Sequence, residues 1–230
     1  MTSHMPFPLE LEKVTCVFGR GSRRVTALHE VCLQLSPGEL VAVMGPSGAG
    51  KSTLLNVAGL LQAPTSGRVL VRGADASQLS RSKAAEIRRK HLGFVFQDYN
   101  LIAALTVGEN ITLPLELDGV SPAECAAAAD TALEEVGLTG LADRFPEEIS
   151  GGQAQRVAIA RALIGPRSVL LADEPTGALD TATGNTVMKV LRSRIDAGAC
   201  GLLVTHEPRF AAWADRVVML RDGILSGEGA

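Results

Sequence analysis

The chain has 230 residues, 46% of them hydrophobic, with 22 Lys+Arg against 25 Asp+Glu; this is room for one large core, with or without an inserted lobe, and the near-even charge lends no support to a nucleic-acid partner. No apolar run reaches the roughly 18–20 residues that a membrane-spanning helix needs, and no basic stretch followed by an apolar one opens the chain, so neither a spanning segment nor a secretion signal is expected. Cys16, Cys32, Cys125 and Cys200 lack CxxC spacing and read as reduced structural thiols of the cytosol, so any membrane role would come through a partner.

Met1 to Met5 reads as an unstructured start. Leu9 to Phe18 and Val25 to Leu35 alternate apolar and polar residues, the pattern of half-buried antiparallel strands, with a polar loop from Gly19 to Arg24 between them. After the turn Ser36-Pro37-Gly38, Leu40 to Met44 is apolar on both faces, as in a buried central strand. It runs into Gly45-Pro46-Ser47-Gly48-Ala49-Gly50-Lys51-Ser52-Thr53, and Leu54 to Leu61 continues as a helix. Gly67 to Gly73 reads as a strand, Arg81 to Lys90 as a polar helix and Gly93 to Gln97 as a short strand. From Asp98 to Gly165 Ala-rich helical segments dominate, notably Pro122 to Val136, with breaks at Pro114, Gly119 and Gly137. Ser150 can cap a helix there, with Gln153 reaching back in a capping box and Gly165-Pro166 as the stop. Buried strands resume at Val169 to Asp173 and Leu202 to His206, and Val217 to Ile224 forms a hairpin around Arg221-Asp222-Gly223.

Gly45 to Ser52 satisfies GxxxxGK[ST] between a buried strand and a helix, the context in which that spacing cradles phosphates. Its glycines let backbone N–H groups wrap a phosphate chain, and the helix N-terminus adds its dipole. Lys51 would meet the β- and γ-phosphates, Ser52 would hold Mg²⁺ and Thr53 could donate to the α-phosphate. Asp173 ends a buried strand beside that loop, where ligands of open α/β sheets bind; it would orient Mg²⁺, and Glu174 is placed to accept a proton from an attacking water. Gln97 and His206 also close strands. In isolation either is a satisfied polar group, but four strand ends on one crevice make a site, in which Gln97 touches Mg²⁺ or its water and His206 the γ-phosphate.

These residues, with Ser150-Gly151-Gly152-Gln153 and Leu179-Asp180, occur in an order that resembles the nucleotide-binding subunit of ATP-binding cassette (ABC) transporters over almost the whole chain. The stretches Ile87-Arg88-Arg89, Gly93 to Gln97, Asn100-Leu101, Glu109-Asn110, Pro114-Leu115 and Asp173 to Asp180 are similar to the branch that includes lipoprotein-release, macrolide-export, antimicrobial-peptide-resistance and haem-export ATPases. The resemblance implies an α/β fold with a P-loop NTPase (RecA-like) core over 39–97 and 166–230, an N-terminal antiparallel β subdomain over 6–38 and an inserted helical subdomain over 98–165. It further implies that Ser150, Gly151, Gly152 and Gln153 bind the γ-phosphate of ATP held by a second copy of the chain, and that Asp180 communicates between the two sites. Phe18 stands where the family usually stacks Tyr on adenine, with Val25 in the same nucleotide-binding set; Phe18 reads equally well as a buried strand residue. Ile149 and Ala154 depart from the common Leu and Gln without removing a phosphate donor. Tyr99 to Ile102 are candidates for contact with an integral-membrane permease or simply pack the lobe, and Arg88-Arg89-Lys90 reads as a solvated helix end, with contact to a partner or lipid headgroups as the alternative.

The implied protein is thus an ATP- and Mg²⁺-dependent ATPase, peripheral on the cytoplasmic face of the plasma (inner) membrane, dimerising and driving a permease for export or extraction. A soluble repair or translation ABC ATPase is the alternative, but the chain has one cassette and no heptad run. A small-molecule P-loop kinase explains Lys51 and leaves Ser150 to Gln153 without work.

Overall fold

Burial with a period of two sets the order of layers. A computed structural model describes residues 6–226; the start expected at Met1 to Met5 and positions 227–230 lie outside the described residues. In chain order the elements are β1 (Leu9–Phe18), β2 (Val25–Leu35), β3 (Leu40–Met44), α1 (Lys51–Ala58), β4 (Ser66–Val71), β5 (Ala74–Asp75), α2 (Arg81–His91), β6 (Leu92–Val95), α3 (Val107–Glu116), α4 (Pro122–Glu135), α5 (Gly151–Leu163), β7 (Val169–Asp173), α6 (Thr181–Asp196), β8 (Cys200–Val204), α7 (Pro208–Ala211), β9 (Arg216–Arg221) and β10 (Ile224–Ser226).

The larger sheet has the order β10-β9-β3-β8-β7-β6. It is parallel from β9 to β6, with β10 returning antiparallel on its edge. Its central strands are buried on both faces, and alternate residues serve two cores. Val41, Val43, Val169, Leu171, Leu202 and Val204 pack with α1 and the smaller sheet. Leu40, Leu170, Ala172 and Leu203 pack with α3, α4, α5 and α6 on the other side. This is why these strands read as continuous apolar runs rather than as alternation.

The smaller, antiparallel sheet has the order β2-β1-β4-β5. β4 and β5 fall within 39–97 by sequence, yet β4 pairs with β1 in the antiparallel sheet, with Leu9 opposite Val71 and Leu11 opposite Val69, and β5 pairs with β4. The turn after α1 sends the chain back across the first strand instead of into the parallel sheet. Three ends also move. Gly59 stops α1 at Ala58, short of Leu61, and the next residue, Leu60, takes φ +55°. The sixth strand ends at Val95, so Gln97 stands in the loop beyond it. Pro114, expected as a break, lies in the last turn of α3, which ends two residues on.

Capping explains the helix starts in the lobe. Thr106 with Glu109, Ser121 with Glu124 and Ser150 with Gln153 each form a reciprocal capping box, satisfying N–H groups that the first turn leaves open.

Candidate active site

The carboxyl ends of β3, β6, β7 and β8 open on one cleft of about 720 Å³, closed on the other side by the start of β2 and by α5. Of the residues singled out from the sequence, Gly45, Ser47, Gly48, Gly50, Lys51, Ser52, Thr53, Gln97, Asp173, Glu174 and His206 line it. Ala27, Asp98, Gln155, Gly177, Ala178 and Val204 line it as well and were not anticipated.

The loop from Gly45 to Gly50 is shaped by its neighbours. At Gly50 φ is +103°, and a Cβ would stand 2.3 Å from the carbonyl oxygen of Ala27 on β2; at Gly48 φ is +79° and a Cβ would meet nothing within 4 Å. One glycine is thus required by the fold and the other faces open cleft. Gly223, at the tip of the β9–β10 turn, donates to the Ala49 carbonyl at 3.1 Å and braces the loop from behind. Lys51 curls back over it, its Nζ donating to the carbonyls of Gly45 at 2.7 Å and Pro46 at 2.9 Å.

Asp173 lies beside Ser52 and Lys51 at the end of β7. Burial, with the neighbouring Glu174 charge, raises its pKa, while the Ser52 hydroxyl and Lys51 act in the opposite sense. Glu174 takes a left-handed backbone, φ +48°, at a junction pinned by its N–H to the Val204 carbonyl at 3.0 Å. Such a conformation costs a non-glycine residue about 1–3 kcal/mol and is kept where surrounding structure imposes it. It turns the side chain into the cleft. Oε1 lies 2.7 Å from Nδ1 of His206, whereas Oε2 is buried and has no hydrogen-bond partner. The carboxylate raises the pKa of His206, first through that hydrogen bond and then through its charge.

The residues suit a nucleotide triphosphate with its cation. Open N–H groups and Lys51 surround a cradle that a phosphate chain fills, and Ser52, Gln97 and Asp173 supply a hydroxyl, an amide and a carboxylate, the oxygen donors a hard cation such as Mg²⁺ takes alongside phosphate. Among the described residues no group of three or more His, Cys, Asp or Glu side chains forms a softer metal site.

Other expected residues lie outside the cleft. Pro46 belongs to the loop without lining it, and Ala49 is buried beneath it. Phe18 is 44% exposed and pairs with exposed Val25 across β1 and β2, so the reading as a buried strand residue fails. Ser150 to Gln153 form the outer start of α5. Ser150 Oγ accepts from Gln153 N–H at 3.3 Å and Gln153 Oε1 accepts from Ser150 N–H at 2.8 Å, which leaves the N–H groups of Gly151 and Gly152 as the open donors of that turn. Asp180 caps α6, accepting from Ala182 N–H at 2.9 Å and Thr183 N–H at 3.0 Å. The two stretches touch: a Cβ on Gly152 would stand 3.4 Å from Leu179 Cδ2. Tyr99 joins the same neighbourhood, its hydroxyl 3.3 Å from where a Gly151 Cβ would lie. Half-buried Arg161 donates to the carbonyls of Tyr99 and Asn100, both at 2.6 Å, and ties their loop to α5.

A parallel sheet ending in a phosphate loop, with an acidic pair on the neighbouring strand, defines a P-loop nucleotide hydrolase. Residues 28–177 match the ABC transporter family, and the chain belongs to that family as an ATPase domain. It is 42% identical over 94% of its length to the macrolide export ATP-binding/permease protein MacB of Neisseria gonorrhoeae, and 44% identical over the same share to that of Salmonella paratyphi A. The chain spans only 33% of the length of those relatives. It also superposes on a dimeric structure of the ATP-binding cassette MJ0796 in a post-hydrolysis state with ADP and Pi, with a TM-score of 0.91 and 38% identity over 96% of this chain and 99% of that one. Another dimeric MJ0796 structure gives the same TM-score at 39% identity.

Proposed function

We propose that two copies of this chain close around two ATP–Mg²⁺ and that their closure drives integral-membrane permease subunits, in export or extraction of a substrate. The observation that carries the reading is Glu174: it lines the cleft with the phosphate loop, one oxygen held by His206 and the other buried and unpartnered. In this reading Glu174 takes the proton of an attacking water, and His206 fixes the carboxylate and reaches the γ-phosphate. Lys51 exchanges its two carbonyl partners for phosphate oxygens, and the loop N–H groups hold the chain of phosphates. Mg²⁺, held by Ser52, Gln97 and Asp173, would neutralise charge on the phosphates. Preorganised charge and N–H donors lower the barrier more than any covalent step does.

Within each copy the cleft surrounds one side of the nucleotide. The open donors of Gly151 and Gly152 beside Ser150 supply the far side for the γ-phosphate of the other copy, Gln153 holds the cap, and Asp180 with Leu179 links the two sites. Phe18 and Val25 present an apolar surface to adenine. Antiparallel, RecA-like and helical parts act as the three subdomains of the cassette. In this reading, which the dimeric MJ0796 structures and the ATP-binding/permease relatives support, the chain sits on the cytoplasmic face of the membrane, held there by the permease. Among the described residues no helix is long and apolar enough to cross a bilayer.

Glu174→Gln keeps the shape and removes the base. It is expected to bind ATP as wild type does, to lose turnover, and to accumulate ATP-bound dimers on size-exclusion chromatography. A variant that hydrolyses ATP near the wild-type rate ends the role given to Glu174.

A further inference from the structure

The helix that carries Ser150 at its outer end also reaches into the cleft of its own copy. Five residues further on, Gln155 is 1% exposed and lines the cleft with Gln97, Asp173 and Glu174. Its Nε2 is buried and has no hydrogen-bond partner, and the same is true of Glu174 Oε2. One is a donor, the other an acceptor, both belong to residues that line one cleft, and no direct bond joins them. Buried polar atoms are seldom left unpaired, and charged ones least of all. A molecule that satisfies both must accept one hydrogen bond and donate another. The nucleophile of ATP hydrolysis is such a molecule.

From this geometry we infer that Gln155 is a catalytic residue of the nucleotide site: its Nε2–H holds the attacking water in place for Glu174. The inference rests on Glu174 acting as the base. Gln155 donates to the water oxygen, and Oε2 of Glu174 accepts one of the water's protons. The water oxygen then bonds to the γ-phosphorus, while the bond from that phosphorus to the β–γ bridging oxygen breaks and its electron pair leaves with ADP. Because Gln155 and Ser150 share one helix, placement of the water is tied to the position of the helix start.

Two variants test this against a packing role. Gln155→Leu removes donor and acceptor at similar volume; Gln155→Glu keeps the shape but, ionised, offers only acceptors. Both are expected to lower kcat by roughly 10- to 100-fold, the scale of a misplaced nucleophile, while the KM for ATP, equilibrium binding of ATP and the melting temperature stay near wild type. Bound ATP should persist unhydrolysed on both, as on Glu174→Gln. Hydrolysis by either variant within about threefold of wild type, well short of that loss, overturns the inference. So does loss of ATP binding or early melting in both variants, which makes Gln155 a packing residue. Glu174→Gln assayed alongside separates the two claims: if it is inert while the Gln155 variants are active, only Gln155 loses its role, and if it turns over, the base assignment falls first.

Discussion

Replacing Gly50 and Gly48 separately by Ala should split one loop into its folding and binding halves. At Gly50, φ +103° strains any side chain, about 1–3 kcal/mol for such a conformation. Its new Cβ would also lie 2.3 Å from the Ala27 carbonyl oxygen, a backbone atom that moves only with β2. Pushing that strand aside is an overpacking cost of about 1–3 kcal/mol. Together this is about 2–6 kcal/mol, which in a chain of this size lowers the melting temperature by roughly 5–20 °C. At Gly48 the Cβ meets nothing, so only the left-handed strain remains, about 1–2 kcal/mol. That methyl, however, stands in the space where a phosphate chain would run. Gly48→Ala should therefore melt close to wild type and bind ATP poorly, and Gly50→Ala should melt well below both. Thermal unfolding and equilibrium binding of a fluorescent ATP analogue read the two effects apart. A Gly48→Ala protein that melts as low as Gly50→Ala, or binds like wild type, refutes the division.

Ser150→Arg should leave nucleotide binding by the single copy intact and remove hydrolysis and dimer formation, read by size-exclusion chromatography with ATP; hydrolysis at the wild-type rate would detach Ser150 from the reaction. His206, its pKa raised by Glu174, should titrate above its ordinary value of about 6.5 in NMR spectra. The stability from this contact is complete below that value and is lost as pH rises through the folded pKa. Glu174→Gln should bring the titration back down, and an unmoved midpoint would show that the contact does not form in solution. Of the four cysteines only Cys32 is exposed, and burial pushes the Cys200 thiol up to about 12. Alkylation of the native protein at neutral pH should therefore label Cys32 first and the others on unfolding, as mass spectrometry of peptides can show.

Local chemistry was legible and tertiary pairing was not. Ser150 and Gln153 lie three residues apart, so their capping box could be read from spacing alone, and the structure has both of its bonds. The buried runs at β3, β7 and β8 announced a parallel sheet because strands covered on both faces lose alternation, and their ends were read as one crevice. Nothing near Ser66–Val71 says that it pairs with β1 rather than joining the parallel strands; that choice is made by partners some sixty residues away. Gln155 reads as an ordinary helical residue, since only the packing of α5 against β6 and its neighbouring helices brings it to the cleft. A period of 3.6 residues applied from the Ser150 cap puts it on the inward face with Ala158 and Ile159, three and four residues on, which is the signal that was there to use. Gly223 could not be linked to Ala49 by any local rule.

Why one chain should present two helix starts to anions follows from how α5 is held. The start of α1 is part of the chain's own cradle. The start of α5 does not line that cleft, yet the helix is fastened to two of the loops that do. Gly152 lies against Leu179 of the loop that follows Glu174, Tyr99 of the Gln97 loop reaches Gly151, and Arg161 clamps that same loop at two carbonyls. Half-buried Arg161 has no acidic partner among the described ion pairs, so those two backbone carbonyls are its protein partners. Losing them would give up two charge-assisted hydrogen bonds, each stronger than a neutral one. The loop and the helix therefore move together. A phosphate bound at the outer end of α5 cannot shift the helix without shifting Gln97 and Gln155 in the cleft behind it. If the start of α5 holds the γ-phosphate of a second copy, as proposed, occupation of that site reaches the chemistry of the cleft through this helix and the loop tied to it.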